Sequence, residues 1–476
     1  MRRAVLLVAI LVALVSGSWS KPLEHLAQLS GLPCGINGSY FTQMFPCVGG
    51  GSTSTQNVAP LLLEAQGDSI TAGYGTTGYG SGNNFSQSYA NRFAQSSQQN
   101  TYGVVGALGT VDYVNDALSG YTIANMTAQQ TTVTNRLLTS YGVWVPNKIV
   151  TILIGTNDRS NATYYPSGSA AWLSTLFTYT DALRAAGYKV LVATQLPISA
   201  AMQVYGDLTV AQWDAWRAAV KTGLVGAIGT HINGIIDFAA DPIMGSQAAV
   251  EATTYYQDGV HPTDAGQALL RTVYTAAVNA ARVDPAPPVG FTTWNPSDKG
   301  AGVTLSNGNL TATGTTFASV RSVNYHYRGK YYFEFALDGS SNNLMVGVSD
   351  QHQALTSYPT GYALPYWMDW GQGGVFAGVT AASPPDFVIK VNSPGSSTLV
   401  LGSKAGIAID FDTGKGWFSI NGVFPASGNP VAETNPTFTF PPNMAVFLQG
   451  SFNAAGAQAT LPASSFTYPV PGYSAW

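Results

Sequence analysis

The sequence predicts two folds in succession, a parallel-sheet α/β domain and then an antiparallel β-sandwich. Three observations carry this. Apolar strand candidates alternate with amphipathic helical patterns over about residues 58–282. A proline-rich break follows, Asp284-Pro285-Ala286-Pro287-Pro288-Val289-Gly290. Beyond it the pattern changes from a helical period to two-residue alternation, with no long helical stretch.

In chain order, the N-terminus reads as an export signal. Arg2 and Arg3 precede the apolar run Ala4 to Val15, and Ser16, Gly17, Ser18 and Ser20 then suit a cleavage site. The run is 12 residues long, whereas a spanning helix needs about 20. The mature chain is therefore expected to have no transmembrane span and to be secreted or periplasmic. Residues 21–57 read as an irregular extension holding both cysteines, Cys34 and Cys47. In an exported chain those two are expected to pair.

Strand candidates in the first domain are Pro60–Gln66, Val111–Val114, Lys148–Gly155, Lys189–Gln195 and Gly234–Phe238. Helical stripes include Trp172, Leu173, Leu176, Phe177, Thr180 and Leu183, stopped by Gly187, and Leu269, Leu270, Val273, Ala276, Ala277 and Ala280. Such alternation implies a parallel sheet covered on both faces. In these sheets a site forms at the carboxyl ends of the strands. The expected organisation is a signal peptide at 1–20, the extension at 21–57, the α/β domain at 58–282, a stiff linker at 283–290 and the sandwich at 291–476. In the last region Tyr331, Phe333, Phe335 and Leu337 alternate with other residues, as do Ile407, Ile409 and Phe411. Asn421-Gly422 between Trp417–Ile420 and Val423–Phe424 signals a type I′ hairpin.

Charged residues make up only 9% of the chain and the net charge is −4, with no Lys/Arg cluster. That excludes a basic nucleic-acid footprint. The chemistry-bearing residues are few. Ser69 lies in Gly67-Asp68-Ser69-Ile70-Thr71, at the end of the first strand. Asn157 lies in Gly155-Thr156-Asn157-Asp158 after another strand, and Asp258-Gly259-Val260-His261 precedes a helix. A nucleophile, a base, an orienting acid and an amide donor are what acyl transfer needs. Asp258 and His261 are three apart, so on a turn the carboxylate can meet one imidazole nitrogen while the other faces the serine. Gly120, in Ala117-Leu118-Ser119-Gly120-Tyr121, can bring a bare backbone N–H to the same oxygen. Each residue alone also has a structural reading: Ser69 as a helix cap, Asn157 and Asp258 as turn residues, Gly120 as a helix-entry turn. Of the five histidines only His231 competes with His261 as base, and it has no acid in a nearby motif.

Together, Gly-Asp-Ser-Ile-Thr, Gly120, Gly-Thr-Asn-Asp and Asp-Gly-Val-His resemble the four blocks of the GDSL/SGNH hydrolase family, in that family's order. The resemblance spans about residues 58–282. It implies a flavodoxin-like three-layer α/β/α fold and ester cleavage without metal or organic cofactor. It also implies Ser69 as nucleophile, His261 as base and Asp258 as its partner. The oxyanion hole would be formed by the Ser69 and Gly120 N–H groups and the Asn157 side chain. Ile70 stands where the family name has Leu, and the Gly120 block is the loosest match.

The C-terminal region resembles a SPRY domain over about 291–465. Arg328-Gly329-Lys330-Tyr331-Tyr332-Phe333-Glu334-Phe335, Met345-Val346-Gly347-Val348-Ser349, Asp410-Phe411-Asp412-Thr413-Gly414-Lys415 and Phe418-Ser419-Ile420-Asn421-Gly422 carry that resemblance. It implies a module that binds protein or glycan. Tyr362, Tyr366, Trp367 and Trp370 are candidates for such a face, with a core position as the alternative. The function expected is thus a secreted serine ester hydrolase, with O-acetylated polysaccharide as candidate substrate. A lipase or aryl esterase is the alternative within the class. A binding or adhesion protein without catalysis is the alternative outside it.

Overall fold

The computed structural model describes residues 60–78, 87–96, 100–101, 111–138, 145–201, 209–286, 288, 290–315, 318–339, 344–349, 355–356, 366–369, 374–377, 391–392, 403–424, 427–440, 442–443, 445–452 and 455–476. The signal, the extension and its two cysteines lie outside them. Of the four candidate surface aromatics, only the backbone of Tyr366 and Trp367 is described.

The first domain holds the strands β1 (Leu61–Gly67), β2 (Asn100–Thr101), β3 (Val111–Asn115), β4 (Asn147–Leu153), β5 (Lys189–Ala193) and β6 (Gly234–Ile236). They form one sheet in the order β2-β3-β1-β4-β5-β6, with every pairing parallel. From β1 the chain passes to β2 at the edge, returns to β3 beside β1 and then crosses to β4, so β1 and β4 lie side by side at the reversal. Both are almost wholly buried, as apolar strands covered on two faces must be. The helices are α1 (Tyr89–Ser96), α2 (Ile123–Thr127), α3 (Gln130–Leu138), α4 (Ser169–Ala185), α5 (Val210–Gly226), α6 (Gln247–Val250) and α7 (Asp264–Ala281). Trp172, Leu176, Trp213, Trp216 and Val220 from α4 and α5 pack with Val150, Ile152 and Val190 in one core. Phe93, Leu270, Tyr274 and Val278 from α1 and α7 pack with Leu61, Leu63 and Ile149 in another. Residues alternating along β1 and β4 divide between the two cores, which is the three-layer arrangement expected. No helix among the described residues is long and apolar enough to cross a membrane.

All five predicted strands are present, and several end earlier than expected. β4 stops at Leu153 and β6 at Ile236, because the residues beyond them turn out of the sheet to form loops and a short 3-10 turn.

The second region contains β7 (Trp294–Lys299), β8 (Val303–Ser306), β9 (Thr311–Gly314), β10 (Ala318–His326), β11 (Lys330–Gly339), β12 (Leu344–Ser349), β13 (Tyr366–Asp369), β14 (Gly374–Ala377) and β15 (Val391–Asn392). After them come β16 (Lys404–Asp410), β17 (Lys415–Ile420), β18 (Phe438–Thr439), β19 (Val446–Phe452), β20 (Ala457–Thr460) and β21 (Ser474–Ala475). One sheet runs β15-β14-β13-β12-β19-β10-β7, and the other runs β18-β17-β16-β11-β20-β9-β8. Pairing is antiparallel except where β21 adds to β11. Phe333, Phe335, Ile407, Ile409 and Phe418 from one sheet meet Val320, Val346 and Leu448 from the other in a single core. Tyr332, Ala408 and Trp417, one residue out of phase, face the opposite way under Val470 and Phe466. Asn421 and Gly422 have φ of 48° and 77°, and Ile420 pairs with Val423. This is the two-residue hairpin that the sequence predicts.

The start of the linker is tied down on both sides. Val283 exchanges two hydrogen bonds with the Asn147 side chain, at 2.7 and 2.8 Å. Tyr327 Oη donates to Asp284 Oδ1 at 2.6 Å, and Arg328 pairs with the other oxygen of Asp284.

One core position has a pH consequence. His326 is 1% exposed and stacks on Tyr331 with centroids 3.6 Å apart, edge-on to Trp476. Neither ring nitrogen has a hydrogen-bond partner among the described residues, and burial pushes its pKa down to about 3. The unfolded chain takes up this proton below its ordinary 6.5 while the folded chain does not. Stability from this group is therefore complete above pH 6.5 and falls as pH drops toward 3, by roughly 1.4 kcal/mol per unit. His326→Phe should flatten the acid side of the Tm-versus-pH curve relative to wild type. Parallel curves between pH 6.5 and 4.5 would contradict it.

Candidate active site

The nucleophile candidate sits where β1 leaves the sheet. Gly67 has φ of 157°, and a Cβ there would lie 2.3 Å from the Leu153 carbonyl oxygen and 2.5 Å from Thr71 Oγ1. Only glycine lets β1 pass that close to β4 and turn. Residues 69–75 then form a run of turns, with Tyr74 N–H donating to the Ser69 carbonyl at 2.9 Å. No α-helix begins at Ser69, and among the described residues its hydroxyl caps no helix. Ser69 Oγ lies 2.8 Å from His261 Nε2.

His261 Nδ1 lies 2.7 Å from Asp258 Oδ2. A carboxylate can only accept, so the proton is on Nδ1 and Nε2 is left to accept from the serine hydroxyl. The 255–263 loop holds both side chains by closing on itself. Gln257 N–H donates to the His261 carbonyl at 2.8 Å, and Thr263 N–H to the Tyr255 carbonyl at 2.9 Å. Thr263 then caps α7, its hydroxyl accepting from Gly266 N–H. Asp258 Oδ1 accepts from the Val260 and His261 N–H groups at 3.1 and 2.9 Å. Burial works against the Asp258 charge, but the His261 N–H, its imidazole and the Val260 N–H outweigh it. They hold the carboxyl below its ordinary range.

Asn157 opens a 3-10 turn, Asn157–Ser160, just past β4. Its Nδ2 donates to the Tyr121 carbonyl at 2.9 Å. An amide nitrogen has two hydrogens, so this bond orients the group and leaves the second for another acceptor. Gly120 has φ of 82° with open space around its would-be Cβ, so its backbone conformation, not crowding, favours glycine here. Its loop is strapped to the end of β1 by Asp116 N–H to Ala65 O (2.9 Å) and Leu118 N–H to Gly67 O (3.2 Å). Gly120, Thr122, Thr156, Asn157, Arg159, Ser160, Val260 and His261 line one cavity of about 400 Å³. The structure thus brings Ser69, His261 and Asp258 into a hydrogen-bonded line, and sets Gly120 and Asn157 around the cavity that the base also faces.

His231 is placed elsewhere. It does have an acid partner, Asp181, at 2.9 Å on its Nδ1, and it stacks on Phe177. The partner is 50 residues away in sequence, so no local motif announces it.

Other residues support the site without a signal that the sequence reading used. Asp158 is buried and accepts from Ile123 N–H at 3.1 Å and Trp172 Nε1 at 3.3 Å, locking α2 to the Asn157 turn. Burial raises its pKa, against these hydrogen bonds. Asp68 is fully buried and accepts from Ile70 N–H at 3.0 Å, and burial pushes its carboxyl up to about 7. Gln267 on α7 donates to Ile70 O at 2.9 Å and accepts from Tyr89 N–H at 2.8 Å, fixing the nucleophile turn from below. Tyr74 lies against the His261 ring at 4.3 Å.

Residues 65–269 match the family described as GDSL-like lipase/acylhydrolase. Over these residues the chain is similar to GDSL/SGNH-type hydrolases. Among solved structures, the chain is similar to TesA at 20% identity, with 46% of this chain and 99% of that one covered and a TM-score of 0.32. It is similar to a GDSL-like lipase from Bacteroides thetaiotaomicron at 17% identity, covering 46% and 89%, with a TM-score of 0.34. It is similar to an acetylxylan esterase from Geobacillus stearothermophilus at 19% identity, covering 47% and 96%, with a TM-score of 0.32. No curated protein matches the chain.

Proposed function

We propose that this protein is an exported serine ester hydrolase of the SGNH type that removes small acyl groups, acetyl above all, from polar alcohols such as polysaccharide hydroxyls. The observation that carries the reading is the pair of hydrogen bonds, 2.8 and 2.7 Å, that joins Ser69 to His261 and His261 to Asp258 beside the cavity. Ser69 Oγ attacks the ester carbonyl as its proton passes to His261 Nε2. Asp258 stabilises the imidazolium. The Gly120 and Ser69 N–H groups and the free amide hydrogen of Asn157 receive the oxyanion. The imidazolium then protonates the leaving alcohol. Water, deprotonated by the same histidine, releases the acid from Ser69.

What favours a polar alcohol over a lipid is the wall of the cavity. Thr122, Thr156, Asn157, Arg159 and Ser160 line it, with Val260 the apolar side chain among them. These groups can hydrogen-bond the hydroxyls of a polar alcohol. The sandwich is proposed, on its SPRY resemblance, as the module that holds the enzyme on polymer.

The test is hydrolysis of p-nitrophenyl acetate against p-nitrophenyl decanoate, followed by acetate release from acetylated glycans. The acetate ester should be strongly preferred. Equal or faster turnover of the decanoate would favour a lipase, and turnover of neither would return the chain to the non-catalytic class.

A further inference from the structure

We infer that Arg159 is a specificity residue that recognises a carboxylate on the substrate, so that the preferred ester is anionic. The inference rests on the ester hydrolase reading above and deepens it.

Arg159 is the cation on the cavity wall, two residues beyond Asn157 and in the same 3-10 turn. Its Nε donates to the Thr156 carbonyl at 2.7 Å, and its guanidinium lies over the Trp213 ring at 5.9 Å. These two contacts fix the plane of the group. They use one of its five N–H donors and leave the four terminal N–H groups without a protein hydrogen bond among the described residues. No carboxylate lies within ion-pair distance of Arg159 there. Arg136, Arg217, Arg321 and Arg328, by contrast, are paired with acids.

The carboxylate that acts on this charge is Asp68, fully buried beside Ser69. Burial pushes that carboxyl up to about 7, so it offsets the guanidinium only in part at neutral pH. Burial also lowers the Arg159 pKa, with Tyr165 and Asp68 opposing, so the cation is held at a cost. A purely structural arginine would direct its fork into the protein. Here the residue lines a cavity shared with the catalytic base, and a guanidinium fork can hold a planar carboxylate by two parallel hydrogen bonds.

The carboxylate could sit on the acyl side or on the alcohol side of the ester, and matched substrates separate them. On the acyl side, p-nitrophenyl hydrogen succinate is compared with p-nitrophenyl butyrate. On the alcohol side, p-acetoxybenzoate is compared with p-acetoxybenzamide. In at least one arm wild type should favour the anion in kcat/KM by about tenfold or more. Added salt should shrink that preference. In Arg159→Gln the anion-to-neutral ratio should fall by about the same factor, with Arg159→Lys between the two. Hydrolysis of neutral esters with no anion preference in either arm would overturn the inference and leave the esterase reading standing. A ratio unchanged in a folded Arg159→Gln protein would also overturn it. Hydrolysis of none of the four would remove both.

Discussion

Ser69→Ala should abolish ester hydrolysis, with a loss in kcat on the order of a million-fold and a melting temperature close to wild type. The size follows from the kind of step removed. Without the oxygen there is no acyl-enzyme, and the remaining site can only assist direct attack by water. The fold should survive because the hydroxyl makes its bond to His261 and nothing in the core depends on it. Gly67 and the β1–β4 pairing, which shape the turn, are untouched. Ser69 is only 6% exposed, but the lost group is a single oxygen, worth about 1 kcal/mol. A serine-directed fluorophosphonate should label wild type and leave the variant unlabelled. Labelling that persists at another serine would remove Ser69 from its role.

Much of this site was legible because its parts are local. Asp258 and His261 are three residues apart on one loop, and Ser69 and Asn157 each follow an apolar strand, which puts those two at the carboxyl end of the sheet. The Gly120 block was the faintest, since a glycine in a turn has no distinctive neighbour. What places it is a pair of backbone bonds to β1, which no side chain encodes. Long-range partners were invisible for the same reason. The pairing of His231 with Asp181, and the bridge from Gln267 to the nucleophile turn, join residues 50 and 197 apart. The helix α5 went unread although Trp213, Trp216, Val220 and Leu224 form a buried stripe. Ala211, Ala215, Ala218 and Ala219 around it blur the apolar period. In the sandwich the alternation marked β11 and β16 clearly, because one face of each is core. Tyr332 and Ala408 are also buried, on the other face. Chain after β20 covers that face, and strand periodicity cannot foresee this.

The second large effect separates the two histidines that have acid partners. His261→Ala should cost about four to six orders of magnitude in kcat, while His231→Ala should leave hydrolysis nearly unchanged. Both imidazoles bond a carboxylate through Nδ1, at 2.7 Å for His261 and 2.9 Å for His231. The acid therefore cannot be what distinguishes them. The difference is at the other nitrogen. His261 Nε2 meets Ser69 Oγ, and its ring borders the cavity, whereas His231 lies in a turn and stacks on Phe177. The pH profile gives an independent readout. Asp258 is held below the ordinary carboxylate range, so it stays ionised as pH falls and should not set the acid limb of kcat/KM. Asp68, raised to about 7 by burial, titrates where an imidazole also does, so the profile must be repeated in Asp68→Asn. If the acid limb persists there, it belongs to His261. If it vanishes there, or if His231→Ala proves to be the lethal change, His261 is not the base and the proposed proton path from Ser69 fails.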